Sequence, residues 1–354
     1  MEEKAIDLGN GVRLGGKHHC VILLDAGVNH NNDIGRAKQL IKTAKEGGAD
    51  AIKFQTYSAG GISTRKAPRY WDAKLDTDGG GSQYDMFKKV DSLPKDAYAE
   101  LKTYAKKLGI AFSSSPFDME SARFLIKLDL DFYKIASAEV PNLPLIRLVA
   151  ETGKPIILST GACTIGEVED ALQTIFQAGN REVALQHCVL SYPCQDKDAN
   201  LAKMLRLKQI FPDIPVGYSD HTLGTQVPLG AVALGARSIE KHYTVDKSLP
   251  DSPDHGLSLS ADELPGFMKD VRRIESAIGT SLSGHYEAET KAHAYARKSI
   301  VTVQPIKKGT RISAEMLACK RPGTGIYPRF LEQIIGREAK VDINEDEILD
   351  WSML

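Results

Sequence analysis

Short apolar runs recur at regular intervals along most of this sequence, and helical patterns lie between them. The runs are at residues 21–24, 49–54, 109–112, 132–135, 155–158, 183–185, 214–217 and 237–240. Most of them are continuously apolar, which is typical of strands that are buried on both faces. Strand-like runs that are each followed by a helical stretch, over roughly 260 residues, predict an α/β fold of the (βα)8 barrel type. A doubly wound sheet fits the same alternation, but eight regular units favour a closed barrel.

Amphipathic stretches supply the helices of this prediction. They cover residues 33–46, 118–128, 164–178, 200–211, 226–234 and 262–278. In the first of them, the apolar residues at positions 34, 37, 40, 41 and 44 fall on one face, and Gly47-Gly48 ends the pattern. For the last of them, Ser260 is predicted to be the N-cap, with Glu263 three residues further on completing a capping box.

Two segments interrupt the alternation. An insert from Tyr57 to Leu93, which carries Gly79-Gly80-Gly81, follows the second run; it is predicted to cover the active-site end of the barrel, although a plain surface loop fits equally well. A polar stretch at 284–297 is typical of a linker, and the short alternating runs after it predict a compact β-rich module. The predicted domains are a barrel at 1–283, a linker at 284–297 and a small domain at 298–354.

Charge and composition exclude several classes of protein. The formal net charge of −1 gives no reason to expect nucleic acid or an anionic membrane as a partner, and no run reaches the ~18 apolar residues of a membrane helix. Five scattered cysteines without CxxC pairing argue against a disulfide framework and against a structural zinc site. The acidic start, Met1-Glu2-Glu3, lacks the regions of a signal peptide, so a cytoplasmic location is expected.

Polar residues stand where the strand-like runs end, and barrel enzymes carry their reactive groups there. Lys53 and Lys134 lie amid apolar residues near hydroxyl side chains, which favours binding of a phosphorylated anion; for either lysine alone, a salt bridge is the simpler interpretation. His221 and His242 follow consecutive runs, so their side chains could converge on one divalent metal ion, although a lone barrel histidine is more often a core residue. With two protein ligands, water and substrate would complete the coordination of an open, catalytic site.

Several motifs, taken together and in order, resemble the sialic acid synthase family. They are Asp25-Ala26-Gly27-Val28-Asn29-His30-Asn31, Lys53-Phe54-Gln55-Thr56, Ser114-Ser115-Pro116-Phe117, Tyr133-Lys134-Ile135-Ala136-Ser137, Ile157-Leu158-Ser159-Thr160-Gly161, His187-Cys188 with Tyr192-Pro193, Gly217-Tyr218-Ser219-Asp220-His221-Thr222 and Glu240-Lys241-His242-Tyr243. In the small domain, Ile306-Lys307-Lys308-Gly309 and Lys320-Arg321-Pro322-Gly323 resemble the family's antifreeze-like (SAF) domain. The resemblance covers nearly the whole chain, and the ordered set is far more specific than any single motif.

The resemblance implies an enzyme that condenses phosphoenolpyruvate with an open-chain N-acylated amino sugar, such as N-acetylmannosamine or a dideoxy diamino sugar, to give a nonulosonic acid and phosphate. It implies that Asp25 is the base for the attacking water. It further implies phosphoenolpyruvate contacts for Lys53, Ser115, Lys134, Ser137 and Ser219, sugar contacts for Gln55, Glu139, Tyr192, Asp254 and Arg321, and a metal ion, often Mn²⁺ with Mg²⁺ also compatible, on His221 and His242. Because the family's matching arginine reaches into the barrel of a second subunit, the resemblance also implies a domain-swapped homodimer.

The chain departs from the family pattern at the base and on the sugar side. The family usually has glutamate where this chain has Asp25, and a carboxylate displaced by ~1 Å costs about a hundredfold in rate. Leu190 stands where a polar residue is common, Cys194-Gln195 replaces a proline-containing continuation, and the Gly79-Gly80-Gly81 insert does not match the segment that contacts the sugar in the family. Two alternatives stay open: a phosphoenolpyruvate aldol-type synthase for a different sugar aldehyde, and a catalytically silent carbohydrate-binding protein on the same scaffold.

Overall fold

Eight parallel strands form the barrel of the first unit of this chain. They are β1 (Val21–Gly27), β2 (Ala51–Thr56), β3 (Ala111–Pro116), β4 (Tyr133–Ile135), β5 (Ile156–Ser159), β6 (Val183–Cys188), β7 (Val216–Asp220) and β8 (Ser238–Thr244). Each of the predicted runs is confirmed as a strand. Several strands continue past the apolar runs into polar residues that are also buried, such as Asp25 in β1, Ser114 in β3 and His187 in β6.

A computed structural model provides this architecture and describes residues 3–71, 80–90, 93–250, 252, 254–279 and 284–354. The chain divides into two units, Met1–Gly279 and Thr280–Leu354. Each unit has an apolar core of its own.

The barrel has a seam between β3 and β4. Within the described residues no backbone ladder joins these two strands, whereas the remaining neighbours are hydrogen-bonded in the order β3-β2-β1-β8-β7-β6-β5-β4. A side chain bridges the seam, because Ser113 Oγ donates to the carbonyl oxygen of Phe132 at 2.7 Å. The barrel is therefore nearly closed, as the repeated alternation predicts.

A helix follows each strand of the barrel. The helices are α1 (Ile34–Glu46), α2 (Lys95–Leu108), α3 (Met119–Leu128), α4 (Leu143–Ala150), α5 (Ile165–Gln177), α6 (Ala202–Ile210), α7 (Gln226–Ala233) and α8 (Leu264–Ile278). Six of them confirm the predicted helices within two residues at either end, and α2 and α4 complete the alternation in segments that carry no predicted range.

The predicted start of α8 is wrong in one respect. The Glu263 carboxylate accepts a hydrogen bond from the Ser260 backbone N–H at 2.9 Å, as a capping box requires, but the helix begins at Leu264 and Ser260 is not its N-cap. Ser260 instead belongs to a two-residue strand, Leu259–Ser260, which pairs with the end of β8. Because that pairing keeps Ser260 extended, the chain needs further residues to turn into the helix.

A hairpin covers the amino-terminal end of the barrel. Its strands, Ile6–Asp7 and Arg13–Leu14, pair antiparallel. The hairpin packs its buried side chains on the first inward-facing residues of the barrel strands; this cluster comprises Ile6, Leu8, Leu14, Val21, Leu23, Ala51, Ala111, Phe132, Ile157 and Ala184. The hairpin was not predicted, since strands of two residues are too short for a periodic pattern.

The insert after β2 has two helices in its described part, Ala59–Ile62 and Gln83–Val90. Met86 and Val90 of the second helix pack with Val28 and Tyr57 in a small apolar cluster. This packing fixes the insert beside the carboxyl ends of β1 and β2. Of the predicted triple glycine, Gly79 lies outside the described residues.

The second unit is small and β-rich, as predicted. Ser299–Thr302 pairs antiparallel with Leu317–Lys320, and a core made mainly of isoleucines lies beside this pair. The segment before it holds a 3-10 turn, Glu287–Glu289, and a short helix, Thr290–Tyr295. Across the described parts of both units, no helix is both long enough and apolar enough to cross a bilayer.

Candidate active site at the carboxyl end of the barrel

A cavity of about 400 Å³ lies at the carboxyl ends of the barrel strands. Most side chains that the sequence motifs predict for a site line it. These are Asp25, Lys53, Gln55, Lys134, Ser137, Glu139, Tyr192, Ser219, His221, His242 and Asp254. The topology explains the convergence, because the carboxyl ends of all strands in a parallel barrel meet at one end.

Two predicted site residues are not among the residues that line the cavity. Ser115 of β3 is fully buried, does not line the cavity, and its Oγ has no hydrogen-bond partner among the described residues. Arg321 belongs to the second unit, where it is exposed. The predicted substrate contacts of Ser115 and Arg321 therefore stay predictions.

Four buried charged residues, Asp25, Lys53, Lys134 and Glu240, form a network that we call the charged cluster. Lys53 Nζ donates to Asp25 Oδ2 at 2.6 Å and lies 3.5 Å from Glu240 Oε1. Lys134 Nζ lies 3.5 Å from Glu240 Oε2 and donates to Ser159 Oγ at 2.8 Å. Each of the four residues is at most 5% exposed, so the network is shielded from bulk water.

The charged cluster sets the protonation of its members by pairing as well as by burial. Burial raises the pKa of Asp25, but Lys53 and His242 outweigh it and hold this pKa at about 2. Burial lowers the pKa of Lys53, but Asp25 and Glu240 outweigh it and raise this pKa above its ordinary value. Burial also lowers the pKa of Lys134, and there Glu240 does not compensate fully. The positive charge of Lys134 is therefore less well compensated by neighbouring carboxylates than that of Lys53, and an incoming anion would stabilise it.

His221 and His242 lie side by side beyond β7 and β8, with ring centroids 5.4 Å apart. His221 Nδ1 is 2.8 Å from the carbonyl oxygen of Val189, so in the neutral ring Nδ1 carries the hydrogen and Nε2 keeps its lone pair. The ring of Tyr192 packs on His221, with centroids 4.1 Å apart. Burial lowers the pKa of His221, but Cys188 and Val189 outweigh it and raise this pKa to about 9. The surroundings of this imidazole therefore favour positive charge.

His242 lies between two carboxylates. Its Nε2 is 3.6 Å from Asp25 Oδ2, and its Nδ1 is 3.3 Å from Asp254 Oδ2. The second distance suits an ion pair, but the angles do not make a hydrogen bond, and His242 Nδ1 has no hydrogen-bond partner among the described residues. Asp25 Oδ1 is likewise buried without a hydrogen-bond partner among the described residues. Both atoms are available to a bound ligand or water.

Part of the cavity is bounded by apolar side chains, which we call the apolar wall: Tyr57, Ile62, Trp71, Met86, Phe87 and Phe117. Tyr57 makes edge-to-face contacts with Phe87 at 5.2 Å and with Phe117 at 5.9 Å between ring centroids. Tyr70 extends the aromatic contacts to Tyr192, with centroids 6.0 Å apart. The described part of the insert thus lines the cavity, as predicted.

Comparison with known proteins places this architecture in a family. The family model described as NeuB family matches residues 40–283, and the one described as SAF domain matches residues 297–354. The chain belongs to the NeuB family. Its predicted resemblance to sialic acid synthases is thereby confirmed, as is the barrel followed by a SAF domain.

Several relatives of this NeuB-family chain span almost its whole length. The N,N'-diacetyllegionaminic acid synthase of Campylobacter jejuni is 40% identical over 331 residues, which are 93% of this chain and 98% of that protein. The enzyme of the same name from Legionella pneumophila is 38% identical and covers 97% of each chain. A crystal structure of the N-acetylneuraminic acid synthetase of Leptospira borgpetersenii in complex with citrate is 32% identical, with a TM-score of 0.71 over 82% of this chain and 95% of that one.

The motifs of this NeuB-family chain contain three cavity residues with polar or ionisable side chains to which no role was predicted, Ser159, Cys188 and Glu240. The strands that carry them are buried on both faces, so polarity does not mark which side chains point inward. A signal was present for Glu240, because a period of two counted back from His242 places it on the same side of β8. That count identifies Glu240 as the carboxylate between the two cluster lysines.

Proposed function

We propose that this chain condenses phosphoenolpyruvate with the aldehyde of an open-chain N-acyl amino sugar and releases a nonulosonic acid and phosphate. The observation that carries the proposal is the charged cluster, in which Lys53 and Lys134 are buried beside the cavity. Two fixed ammonium groups suit the two anionic ends of phosphoenolpyruvate, its carboxylate and its phosphate. The names of the relatives, which are synthases of sialic-type acids, support the same reaction.

The reaction makes one carbon–carbon bond and breaks one carbon–oxygen bond. The double-bond electrons of phosphoenolpyruvate join its C3 to the aldehyde carbon, and the aldehyde oxygen takes up a proton to become a hydroxyl group. Water adds at C2 and gives up its protons, and phosphate leaves with the C2–O bond, so that C2 becomes a ketone. Lys53 and Lys134 offset the charge of the bound anion throughout.

Asp25 is the residue proposed to hold and deprotonate the attacking water. Its pKa of about 2 keeps it ionised in the free protein. Phosphoenolpyruvate bound at Lys53 would compete for that ammonium group and raise the pKa of Asp25 toward its ordinary range, which makes the carboxylate a better proton acceptor. The unpartnered Asp25 Oδ1 is the atom free to accept the hydrogen of the water.

We further propose that His221 and His242 hold a divalent cation, Mn²⁺ or Mg²⁺. The donors fit such an ion once it displaces the proton that the surroundings of His221 favour, because the neutral ring has Nε2 free while Nδ1 is bonded to Val189. No group of three or more metal-binding side chains was found within the described residues, so water and substrate oxygens would complete the coordination. When bound, the cation supplies a Lewis acid that polarises the aldehyde oxygen.

The acceptor side of the cavity suits an N-acylated sugar. Acyl methyl groups can pack on the apolar wall, while Gln55, Glu139 and Asp254 offer polar contacts for hydroxyl groups in the same cavity. Two relatives are named for N,N'-diacetyllegionaminic acid, so a diacetamido sugar stands beside N-acetylmannosamine as a candidate acceptor. A homodimer in which Arg321 completes the acceptor site of the partner subunit belongs to the same proposal.

Phosphate release from phosphoenolpyruvate tests this function. With Mn²⁺ present, N-acetylmannosamine and two diacetamido-dideoxy sugars are each offered to the wild type, and the product mass is measured. We expect release that depends on the sugar and is lost in His242→Ala but kept in His18→Ala, which removes an exposed histidine. Folded, Mn²⁺-loaded protein that releases no phosphate with any of these sugars would contradict the proposal, and sugar binding without release would favour the silent carbohydrate-binding alternative.

The same assay tests the role of Asp25. In Asp25→Glu the longer side chain displaces the carboxylate from its 2.6 Å contact with Lys53. We expect a fall of about a hundredfold in turnover, because a catalytic group is misplaced by about the length of one bond. A gain in turnover would instead identify aspartate as an impairment of this enzyme.

A further inference from the structure

A buried ion pair lies behind the two histidines and is not used by the reaction described above. Lys241 Nζ donates to Asp220 Oδ2 at 2.6 Å, and both residues are 1% exposed. Asp220 and Lys241 are direct partners in the parallel ladder between β7 and β8. Each of them immediately precedes one of the histidines, His221 or His242. The ion pair therefore joins the two strand ends that present the imidazole rings.

Alternation along β8 directs the ion pair away from the cavity. Glu240 and His242 line the cavity, so Lys241 between them points toward the surrounding helices, and neither Lys241 nor Asp220 is part of the lining. Charges in this layer lose their hydration, and an apolar pair of similar volume would often serve stability as well or better. Stability alone therefore gives no reason for an ion pair at this place.

Further bonds connect the ion pair to the turn after His221. Asp220 Oδ1 accepts from the backbone N–H and the Oγ1 hydroxyl of Thr222, at 3.0 and 2.8 Å. Lys241 Nζ also donates to the carbonyl oxygen of Thr222 at 2.8 Å. The residues on both sides of His221 are thus fixed to one ammonium group on β8. The carbonyl oxygen of His221 itself accepts from the backbone N–H of Cys194 at 2.9 Å.

We propose that Asp220 and Lys241 are positioning residues, which fix the separation of His221 and His242 and thereby set the affinity of the site for a divalent cation. This inference rests on the proposed function, in which the two histidines hold the cation. With two protein ligands there is no third side chain to correct a displaced ring, so a movement of the β7 end against β8 weakens both bonds. Groups that orient metal ligands from behind typically change metal affinity by about 10- to 100-fold when they are removed.

Two variants separate positioning from stability. Lys241→Met leaves the Asp220 carboxylate buried without its partner, whereas Asp220→Asn/Lys241→Met removes both charges and keeps the side-chain oxygen that Thr222 contacts. Thermal unfolding and Mn²⁺ titration followed by electron paramagnetic resonance are measured on the full chain. We expect the single variant to lose both stability and affinity, and the double variant to regain stability while its Mn²⁺ dissociation constant stays about 10- to 100-fold above that of the wild type.

A matched control breaks an ion pair at the other end of the barrel. Asp50 lies 3.1 Å from Arg272 and accepts from the first strand at Ile22. Asp50→Asn is expected to lower the unfolding temperature and to leave the Mn²⁺ dissociation constant unchanged. A double variant, Asp220→Asn/Lys241→Met, that binds Mn²⁺ as tightly as the wild type overturns the inference.

His242→Ala distinguishes this inference from the proposed function. If the wild type binds no Mn²⁺, or His242→Ala binds it equally well, the metal part of the proposed function fails. The imidazole NMR signals of His221 and His242 are then compared between the metal-free wild type and the variants, to test whether Asp220 and Lys241 position the two rings. Signals that shift in the double variant and not in Asp50→Asn support it, and signals that stay in place overturn it.

Discussion

The interior of the barrel changes from apolar at its amino-terminal end to charged at its carboxyl end, along the same strands. In β1, Val21 and Leu23 belong to the apolar cluster beneath the hairpin, and Asp25, two residues further on, lines the cavity. In β2, Ala51 and Lys53 repeat this order. Side chains alternate along a strand with a period of two residues. One register therefore points both the apolar residues of the amino-terminal end and the charged residues of the carboxyl end into the barrel.

The two ends therefore differ in how well their buried groups are satisfied. The amino-terminal cluster consists of apolar side chains that gain stability from burial alone. At the carboxyl end, Asp25 Oδ1, Glu240 Oε2 and His242 Nδ1 are buried without hydrogen-bond partners among the described residues. Such groups cost stability, and their concentration in one cavity is typical of a site built to receive a ligand.

The largest expected effect in this comparison comes from the amino-terminal end. Phe132 is fully buried in the apolar cluster, and Phe132→Ala leaves a void there. We expect the free energy of unfolding to fall by about 3–5 kcal/mol, while phosphate release per folded molecule stays unchanged. Urea unfolding and the release assay measure the two quantities. Lost activity in a variant of normal stability would show that the two ends are not separate in function.

The opposite result is expected at the carboxyl end. In Lys134→Met a cation of the charged cluster is lost, while Glu240 keeps its contact with Lys53 at 3.5 Å. We expect kcat/KM for phosphoenolpyruvate to fall by about 10²- to 10³-fold, with a smaller loss of stability than in Phe132→Ala. Lys42→Met, which removes an exposed lysine of α1, is the control. Unchanged kcat/KM together with a large loss of stability would assign Lys134 to the scaffold.

His30 sharpens the comparison, because it is a buried group near the cavity that stays neutral. Its ring stacks on Phe54 with centroids 5.9 Å apart, and its Nδ1 accepts from the backbone N–H of Asn32 at 3.0 Å. Burial lowers the pKa of His30 to about 4 from its ordinary value of 6.5. A depressed histidine pKa means that its stability contribution is complete above about pH 6.5 and is lost as the pH falls through 4.

The expected loss for His30 is up to about 3 kcal/mol, at 1.36 kcal/mol for each unit of pKa difference between folded and unfolded chains. Urea midpoints between pH 7 and 4 are compared for the wild type and His30→Asn, in which the amide oxygen replaces Nδ1 as acceptor. The wild type should lose more stability than the variant over this range. If stability falls equally with pH in the wild type and in His30→Asn, burial does not hold the pKa of His30 below its ordinary value.

The barrel and much of its site were predictable because both depend on patterns that lie along the chain. Continuous apolar runs identify the strands, since a barrel strand is covered on both faces. Lys53, Lys134, His221 and His242 were found because reactive residues follow such runs, and the structure brings all four to one cavity.

The remaining features depend on tertiary geometry that no periodic pattern reports. The inward direction of Glu240 and the outward direction of Lys241 follow from the register of β8 within a fully buried sheet. The ladder between β1 and β2 shifts register between Asp25 and Gly27, and a backbone irregularity of this kind changes which side chains face inward.

The seam between β3 and β4 has a consequence for how the barrel could be divided and rebuilt. A cut in the loop between α3 and β4 severs no strand ladder, because these neighbours share none among the described residues. It yields one fragment whose last strand is β3, followed by α3, and another that begins with β4, and the two would reassociate through the ladder between β1 and β8. The barrel is thus an assembly of a three-stranded and a five-stranded piece, and Asp129, the exposed residue of a loop whose Leu130 and Phe132 are buried, is the place to cut for complementation by separate fragments.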